Sequence, residues 1–86
     1  MLKGKFALVT GSTSGIGLGV ANALAEAGVS VMLNGFGAAD QIETLRAELA
    51  RRTGVQVLHS GADMSRPEQI TAMVRDAESR FGRLDI

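Results

Sequence analysis

The chain has 86 residues, with nine basic and nine acidic side chains, one histidine and no cysteine. This length predicts one small domain, and the absence of cysteine excludes disulfide bonds and thiolate metal sites. Balanced charge and only three aromatic residues argue against a nucleic-acid-binding surface. No apolar stretch reaches the roughly 18 residues of a membrane span. We therefore expect a cytoplasmic protein that binds neither nucleic acid nor membrane.

Short apolar runs alternate with helical stripes along the chain. Residues 6–9, 29–33 and 55–58 lack regular polar alternation, which predicts parallel strands covered on both faces. Each run is followed by apolar residues at helical spacing. These stripes are Ile16, Val20 and Leu24, with Ala21 and Ala25 beside them, in the first helix, Ile42, Leu45 and Leu49 in the second, and Ile70, Met73, Val74, Ala77 and Phe81 in the third.

Capping signals add predicted helix boundaries. Asp40 with Glu43, and Ser65 with Glu68, have the spacing of capping boxes, and Gly54 can end the second helix. The alternation of strands and helices predicts an α/β fold with a doubly wound parallel sheet. Residues 84–86 read as the start of a fourth strand.

A glycine-rich loop, "TGSTSGIG", separates the first strand from the first helix. The first amides of a helix have no intrahelical partner and attract phosphate, provided that no side chain blocks the approach. Gly11 supplies the turn, Gly15 the close approach and Gly17 the tight packing of the helix. Ser12, Thr13 and Ser14 add hydroxyl donors. The alternative is a glycine-rich turn without a ligand, but its place between strand and helix favours a diphosphate site.

This loop resembles T-G-x-x-x-G-x-G of the short-chain dehydrogenase/reductase family, and the resemblance extends over the whole chain. It implies a Rossmann-like fold, truncated after the third helix, in which the fourth strand lies beside the first. It also implies cofactor contacts along residues 11–17, including Ile16. "GADMS" resembles the element that meets the adenine, with Asp63 accepting from the amino group and the Met64 backbone touching the ring. Alternatively, Asp63 only caps the turn before Ser65.

The resemblance also bears on the choice of cofactor. Many NAD-using relatives carry an acidic residue at the position of Gly35, whereas NADP-using relatives carry a cation nearby. Here Ser14, Phe36 and Gly37 occupy the places for a cation, so we expect NAD. Phe36 would lie beside the adenine or ribose; the alternative is packing on the second helix. His59 is read as a partly buried polar residue without a functional role.

"MLKGK" and "LNGFG" resemble the start of bacterial D-3-hydroxybutyrate dehydrogenases, an NAD-dependent branch of the family. Family catalysis uses an asparagine, a serine, a tyrosine and a lysine beyond the fourth strand, and this sequence has no tyrosine. We expect residues 1–86 to be the inactive N-terminal part of one NAD-binding domain. The parent would be a homo-oligomer acting on a small hydroxy acid or ketone. Alternatives are a 3-oxoacyl-acyl-carrier-protein or steroid reductase, or a non-catalytic nucleotide-binding module.

Overall fold

Strands and helices alternate throughout residues 2–86, the part of the chain that the computed structural model describes. The elements are β1 (Phe6–Val9), α1 (Gly15–Glu26), β2 (Ser30–Asn34), α2 (Ala39–Thr53), β3 (Val57–Ser60) and α3 (Pro67–Phe81). Within these residues, no helix combines the length and apolar character that a bilayer span requires.

The three strands form a parallel sheet in the order β1-β2-β3. Val31 of the central strand is in register with Ala7 on one side and Val57 on the other. Val31, Met32 and Leu33 are fully buried, which explains the uninterrupted apolar run of β2. The observed β2 and β3 lie one and two residues later than the predicted runs. The predicted α/β, Rossmann-like fold is confirmed.

Helices cover both faces of the sheet. On one face, α1 and α2 pack over a buried cluster that contains Val31, Leu33, Leu49 and Val57. On the other face, Met32 and Leu58 meet the Met73, Ala77 and Phe81 side chains of α3. The sheet is therefore the middle layer of three, and the loops at the carboxyl ends of its strands are left uncovered by the helices.

Residues 84–86 lie along the edge of β1 that faces away from β2. The Leu8 amide donates to the Ile86 carbonyl at 2.9 Å, and the Asp85 amide donates to the Phe6 carbonyl at 2.8 Å. The Asp85 carboxylate accepts from the Phe6 amide at 2.9 Å. This segment occupies the position predicted for a fourth strand, so the amide and carbonyl of Phe6 and the amide of Leu8 on that edge are paired.

The predicted apolar stripe of α1 is wrong at two of its three positions. Ile16 is 89% exposed and Val20 is 47% exposed, whereas Ala21 and Ala25 are buried against the sheet. A spacing of four residues overshoots a helical turn by about 40°. Ile16 therefore points well away from the direction of Leu24, which does pack against the core.

Both predicted capping boxes are also wrong. Helix α2 begins one residue before Asp40, and Glu43 instead accepts from Arg46. Pro67 is the first residue of α3, a position for which its fixed φ is suited, and this leaves Ser65 outside the helix. The predicted end at Gly54 is correct, because Gly54 is the left-handed C-cap of α2 with φ 76°.

Helix α1 touches the glycine-rich turn at Gly17. A Cβ atom built there would collide with the Gly11 carbonyl oxygen and would lie 2.8 Å from the Gly11 carbonyl carbon. Gly19, two residues further along the same helix, has open space around it and no positive φ. The two glycines thus differ in packing although both are helical.

We expect Gly17→Ala to lower the free energy of unfolding by about 1–3 kcal/mol, because the backbone carbonyl cannot move aside freely. Gly19→Ala should raise it by about 0.5–1 kcal/mol through helix propensity alone. Equilibrium urea unfolding of both variants and the unaltered protein measures the difference. A Gly17→Ala protein as stable as Gly19→Ala would contradict the close contact.

Candidate functional site

A cleft of about 310 Å³ lies at the carboxyl ends of the strands. It is lined by one loop after each strand, which is where ligands bind in open α/β sheets. It brings together seven of the residues predicted from the sequence: Gly11, Thr13, Ser14, Gly35, Phe36, Asp63 and Met64. The other four predicted residues, Ser12, Gly15, Ile16 and Gly17, belong to the same first loop and helix start but do not line this cleft.

The glycine-rich turn presents backbone amides. Gly11 and Gly15 both have φ of 60°, a left-handed conformation that other residues adopt with strain. The first hydrogen bond into α1 runs from the Leu18 amide to the Ser14 carbonyl, at 3.2 Å. The amides of residues 15–17 precede this bond and lie at the positive end of the helix dipole. This arrangement suits a phosphate group.

The three hydroxyl residues of the turn have different environments. Ser12 is fully buried, and its hydroxyl donates to the Val9 carbonyl at 2.6 Å and accepts from the Asn34 amide at 3.0 Å. This differs from the predicted role of Ser12 as a donor to a ligand, because its proton is used inside the fold. Thr13 donates to the Phe36 carbonyl at 3.2 Å. Ser14 is exposed and caps no amide of α1.

The segment after β2 forms one wall of the cleft. The Gly35 carbonyl accepts a hydrogen bond from His59 Nε2, at 3.1 Å, which gives the half-buried histidine a structural role. Phe36 is 71% exposed. Its ring is therefore not buried against α2, as the packing alternative requires, and it remains accessible at the cleft.

Asp63 is the one charged residue that lines the cleft. Its Oδ1 atom accepts from the Ser65 hydroxyl at 2.7 Å and from the Ser65 amide at 2.9 Å. These two hydrogen bonds lower the pKa of the Asp63 carboxyl below its ordinary value, with the hydroxyl contributing most. Asp63 therefore does cap the turn before α3. Its other carboxylate oxygen, Oδ2, lies 4.0 Å from Arg66 Nε.

Sequence reasoning missed Asn34, which organises the base of the cleft. It is 2% exposed, and its Nδ2 donates to the carbonyls of Ser60 and Ala62, both at 3.1 Å. The signal was a polar amide that ends an otherwise apolar strand, since such a side chain needs buried partners. Asn34 thereby joins the end of β2 to the end of β3 and to the loop that carries Asp63.

The chain matches the family model described as short chain dehydrogenase over residues 5–86. The D-beta-hydroxybutyrate dehydrogenase of Cupriavidus necator is 54% identical over 87 aligned positions, which cover 100% of this chain and 33% of that protein. The enzyme of the same name from Rhizobium meliloti is 50% identical over 82 positions, covering 95% of this chain and 32% of that protein. The chain thus spans about a third of these relatives.

Solved structures agree with this match. The NADPH-dependent 3-quinuclidinone reductase of Rhodotorula rubra superposes with a TM-score of 0.91 at 39% identity, covering 98% of this chain and 31% of that one. The L-sorbose reductase of Gluconobacter frateurii, complexed with NADPH and L-sorbose, superposes with a TM-score of 0.88 at 36% identity, covering 98% of this chain and 32% of that one. The chain belongs to the short-chain dehydrogenase family.

Proposed function

We propose that this chain is the NAD-binding portion of an enzyme that oxidises D-3-hydroxybutyrate to acetoacetate. The observation that carries the proposal is the 54% identity to a D-beta-hydroxybutyrate dehydrogenase along the whole chain. Because the chain spans about a third of that relative, the activity of the complete protein is part of the proposal. Its assembly as a homo-oligomer and its cytoplasmic location stay predictions.

The cleft has the donors and acceptors that a dinucleotide needs. The amides of residues 15–17 and the Ser14 hydroxyl would hold the diphosphate, where Gly17 allows the close approach of helix and turn. Asp63 Oδ2 would accept from the adenine amino group, beside the Met64 backbone. Phe36 would cover the adenosine from the β2 side. The chemistry that NAD would supply here is that of a hydride acceptor.

Charge favours NAD over NADP in this proposal. Neither lysine nor arginine lines the cleft or the neighbouring cleft on the other side of Phe36, within the described residues. The charged residues that do line them, apart from the titratable His59, are Asp63 and Glu43. Glu43 is paired with Arg46, and Asp63 lies 4.0 Å from Arg66. Neither cleft lining, in the described part of the chain, therefore offers an unpaired cation to a 2′-phosphate, which carries nearly two negative charges.

The catalytic groups are proposed to lie outside these 86 residues. The family's proton transfer depends on a tyrosine, and the chain has none. The residues described here would therefore bind and orient the cofactor, while the substrate, a small hydroxy acid, is bound by the remainder of the enzyme. We propose that the 86-residue chain alone is inactive.

A second candidate is an NADPH-dependent reductase. The structural relatives named above are a reductase described as NADPH-dependent and a reductase solved with NADPH. The 3-oxoacyl-acyl-carrier-protein and steroid reductases expected as alternatives from the sequence are likewise short-chain reductases. The non-catalytic module is the remaining alternative. Cofactor preference separates the reductase from the dehydrogenase that we propose.

In the intact protein that carries this chain, we expect kcat/KM to favour NAD over NADP by about tenfold or more, because neither cleft lining, among the described residues, supplies a lysine or arginine to compensate the charge of a 2′-phosphate. The measurement is the initial rate of D-3-hydroxybutyrate oxidation with each cofactor. The 86-residue chain alone serves as the background control. A preference for NADP would contradict the assignment of NAD as the cofactor.

Gly15→Val should abolish dinucleotide binding. A β-branched residue is strained at φ 60°, and its side chain would enter the open space beside the helix amides. Isothermal calorimetry with NAD on the intact protein measures the loss. Gly54→Val is the matched control, since Gly54 has φ 76° and open surroundings at the far end of α2. Unchanged affinity in Gly15→Val, or equal loss in both variants, would place the diphosphate elsewhere.

Ser65→Ala should raise the pKa of Asp63 toward its ordinary value, because the hydroxyl is the largest cause of the lowered pKa. A carboxyl whose pKa is lowered by folding stabilises the fold above its unfolded pKa, and this contribution is lost as the pH falls through the folded pKa. Carboxyl carbon NMR titration measures both pKa values. Ser14→Ala, whose hydroxyl caps no helix amide, should leave the Asp63 pKa unchanged. Equal shifts in both variants would contradict the assignment.

A further inference from the structure

The backbone conformation at position 35 does not explain why this residue is glycine. Gly35 is absent from the glycines with positive φ, so its conformation is open to any L residue. What prevents a side chain there is Thr13. A Cβ atom built on Gly35 would collide with Thr13 Oγ1 and lie 3.0 Å from Cγ2 and 3.1 Å from Cβ of the same residue. The constraint is therefore a contact between two loops.

Thr13 is also fixed in this position by a hydrogen bond. Its Oγ1 donates to the Phe36 carbonyl at 3.2 Å, so the hydroxyl cannot turn away from Gly35 without losing that acceptor. On the opposite side, His59 Nε2 donates to the Gly35 carbonyl at 3.1 Å, which requires the tautomer or charge state with a proton on Nε2. The carbonyls of two successive residues are thus held by side chains from two different elements, the glycine-rich loop and β3.

Both residues of the contact line the cleft. We infer that Thr13 is a specificity-determining residue of this cleft, an inference that rests on the proposed function. Thr13 excludes every side chain from position 35, including the charged ones that could distinguish a ribose hydroxyl from a ribose phosphate. The wall at this point consists of backbone and of the Thr13 side chain. A charged side chain at position 35 can act on the cofactor only when Thr13 is shortened.

A double-mutant cycle in the intact protein tests this inference. Gly35→Ala alone should weaken NAD affinity about tenfold or more, because overpacking displaces Thr13 or the Phe36 backbone. In the Thr13→Ala background, which removes Oγ1 and Cγ2, the same substitution should change affinity only about twofold. Thr71→Ala is the matched control, since it removes the same atoms from an exposed threonine of α3 that does not line the cleft, and it should not rescue Gly35→Ala. The denaturation midpoints of the same proteins should show the same coupling.

A second pair of variants separates charge from packing. In the Thr13→Ala background, Gly35→Asp should raise the ratio of kcat/KM for NAD over NADP about tenfold relative to Gly35→Asn, because the two side chains have the same shape and differ in charge. With Thr13 intact, both variants should lose affinity for both cofactors. A KM effect with unchanged kcat is expected, since position 35 does not touch the reacting atoms in this proposal.

The outcomes separate the inference from the proposed function. Additive effects of Thr13→Ala and Gly35→Ala on affinity and on unfolding would overturn the role of Thr13 while NAD binding by the unaltered protein stands. Coupled unfolding together with identical ratios for Gly35→Asp and Gly35→Asn would overturn its part in specificity. Failure of the unaltered protein to bind NAD would overturn the proposed function itself, and the unfolding cycle would still report on the contact.

Discussion

Two buried polar side chains, Ser12 and Asn34, hold the carboxyl ends of all three strands in register. The Ser12 hydroxyl donates to the Val9 carbonyl and accepts from the backbone amide of Asn34. The side-chain amide of Asn34 in turn donates to the carbonyls of Ser60 and Ala62. Losing a partner in such a network leaves a buried donor or acceptor unpaired, which costs about 1–3 kcal/mol. Each loop that lines the cleft leaves the sheet beside one of these bonds, so the network determines where the loops begin.

The loops that line the cleft are held largely by hydrogen bonds between side chains and backbone groups. Its wall at Gly35 is held by Thr13 and His59, its turn before α3 is closed by Asp63 and Ser65, and its glycine-rich turn is closed over Ser12. In the described part of the chain, no buried side-chain nitrogen or oxygen lacks a partner. A site of this kind offers amides at fixed positions, and a bound anion does not have to order long flexible cations.

Sequence patterns predicted the structural features that depend on residues close together in the chain. The apolar run of β2 is buried on both faces, Gly54 ends α2, and the loop T-G-x-x-x-G-x-G lies between strand and helix. They failed where a tertiary contact decides. The burial of Ser12 follows from the approach of Asn34, a residue 22 positions away in the chain. This approach is not encoded in the spacing of residues along the chain.

Two glycines, Gly15 and Gly35, show the same difference between a local constraint and a tertiary contact. Gly15 is required by its own left-handed backbone, a property that the turn itself dictates. Gly35 has an ordinary backbone and is required by the side chain of Thr13, 22 positions earlier in the chain but in direct contact in the fold. In the sequence, the backbone constraint and the contact constraint both appear only as a glycine. Only a constraint of the second kind makes the residue type at one position depend on a residue of another loop. By our inference, Thr13 of the glycine-rich loop thus limits which residue can stand at position 35 of the cleft wall.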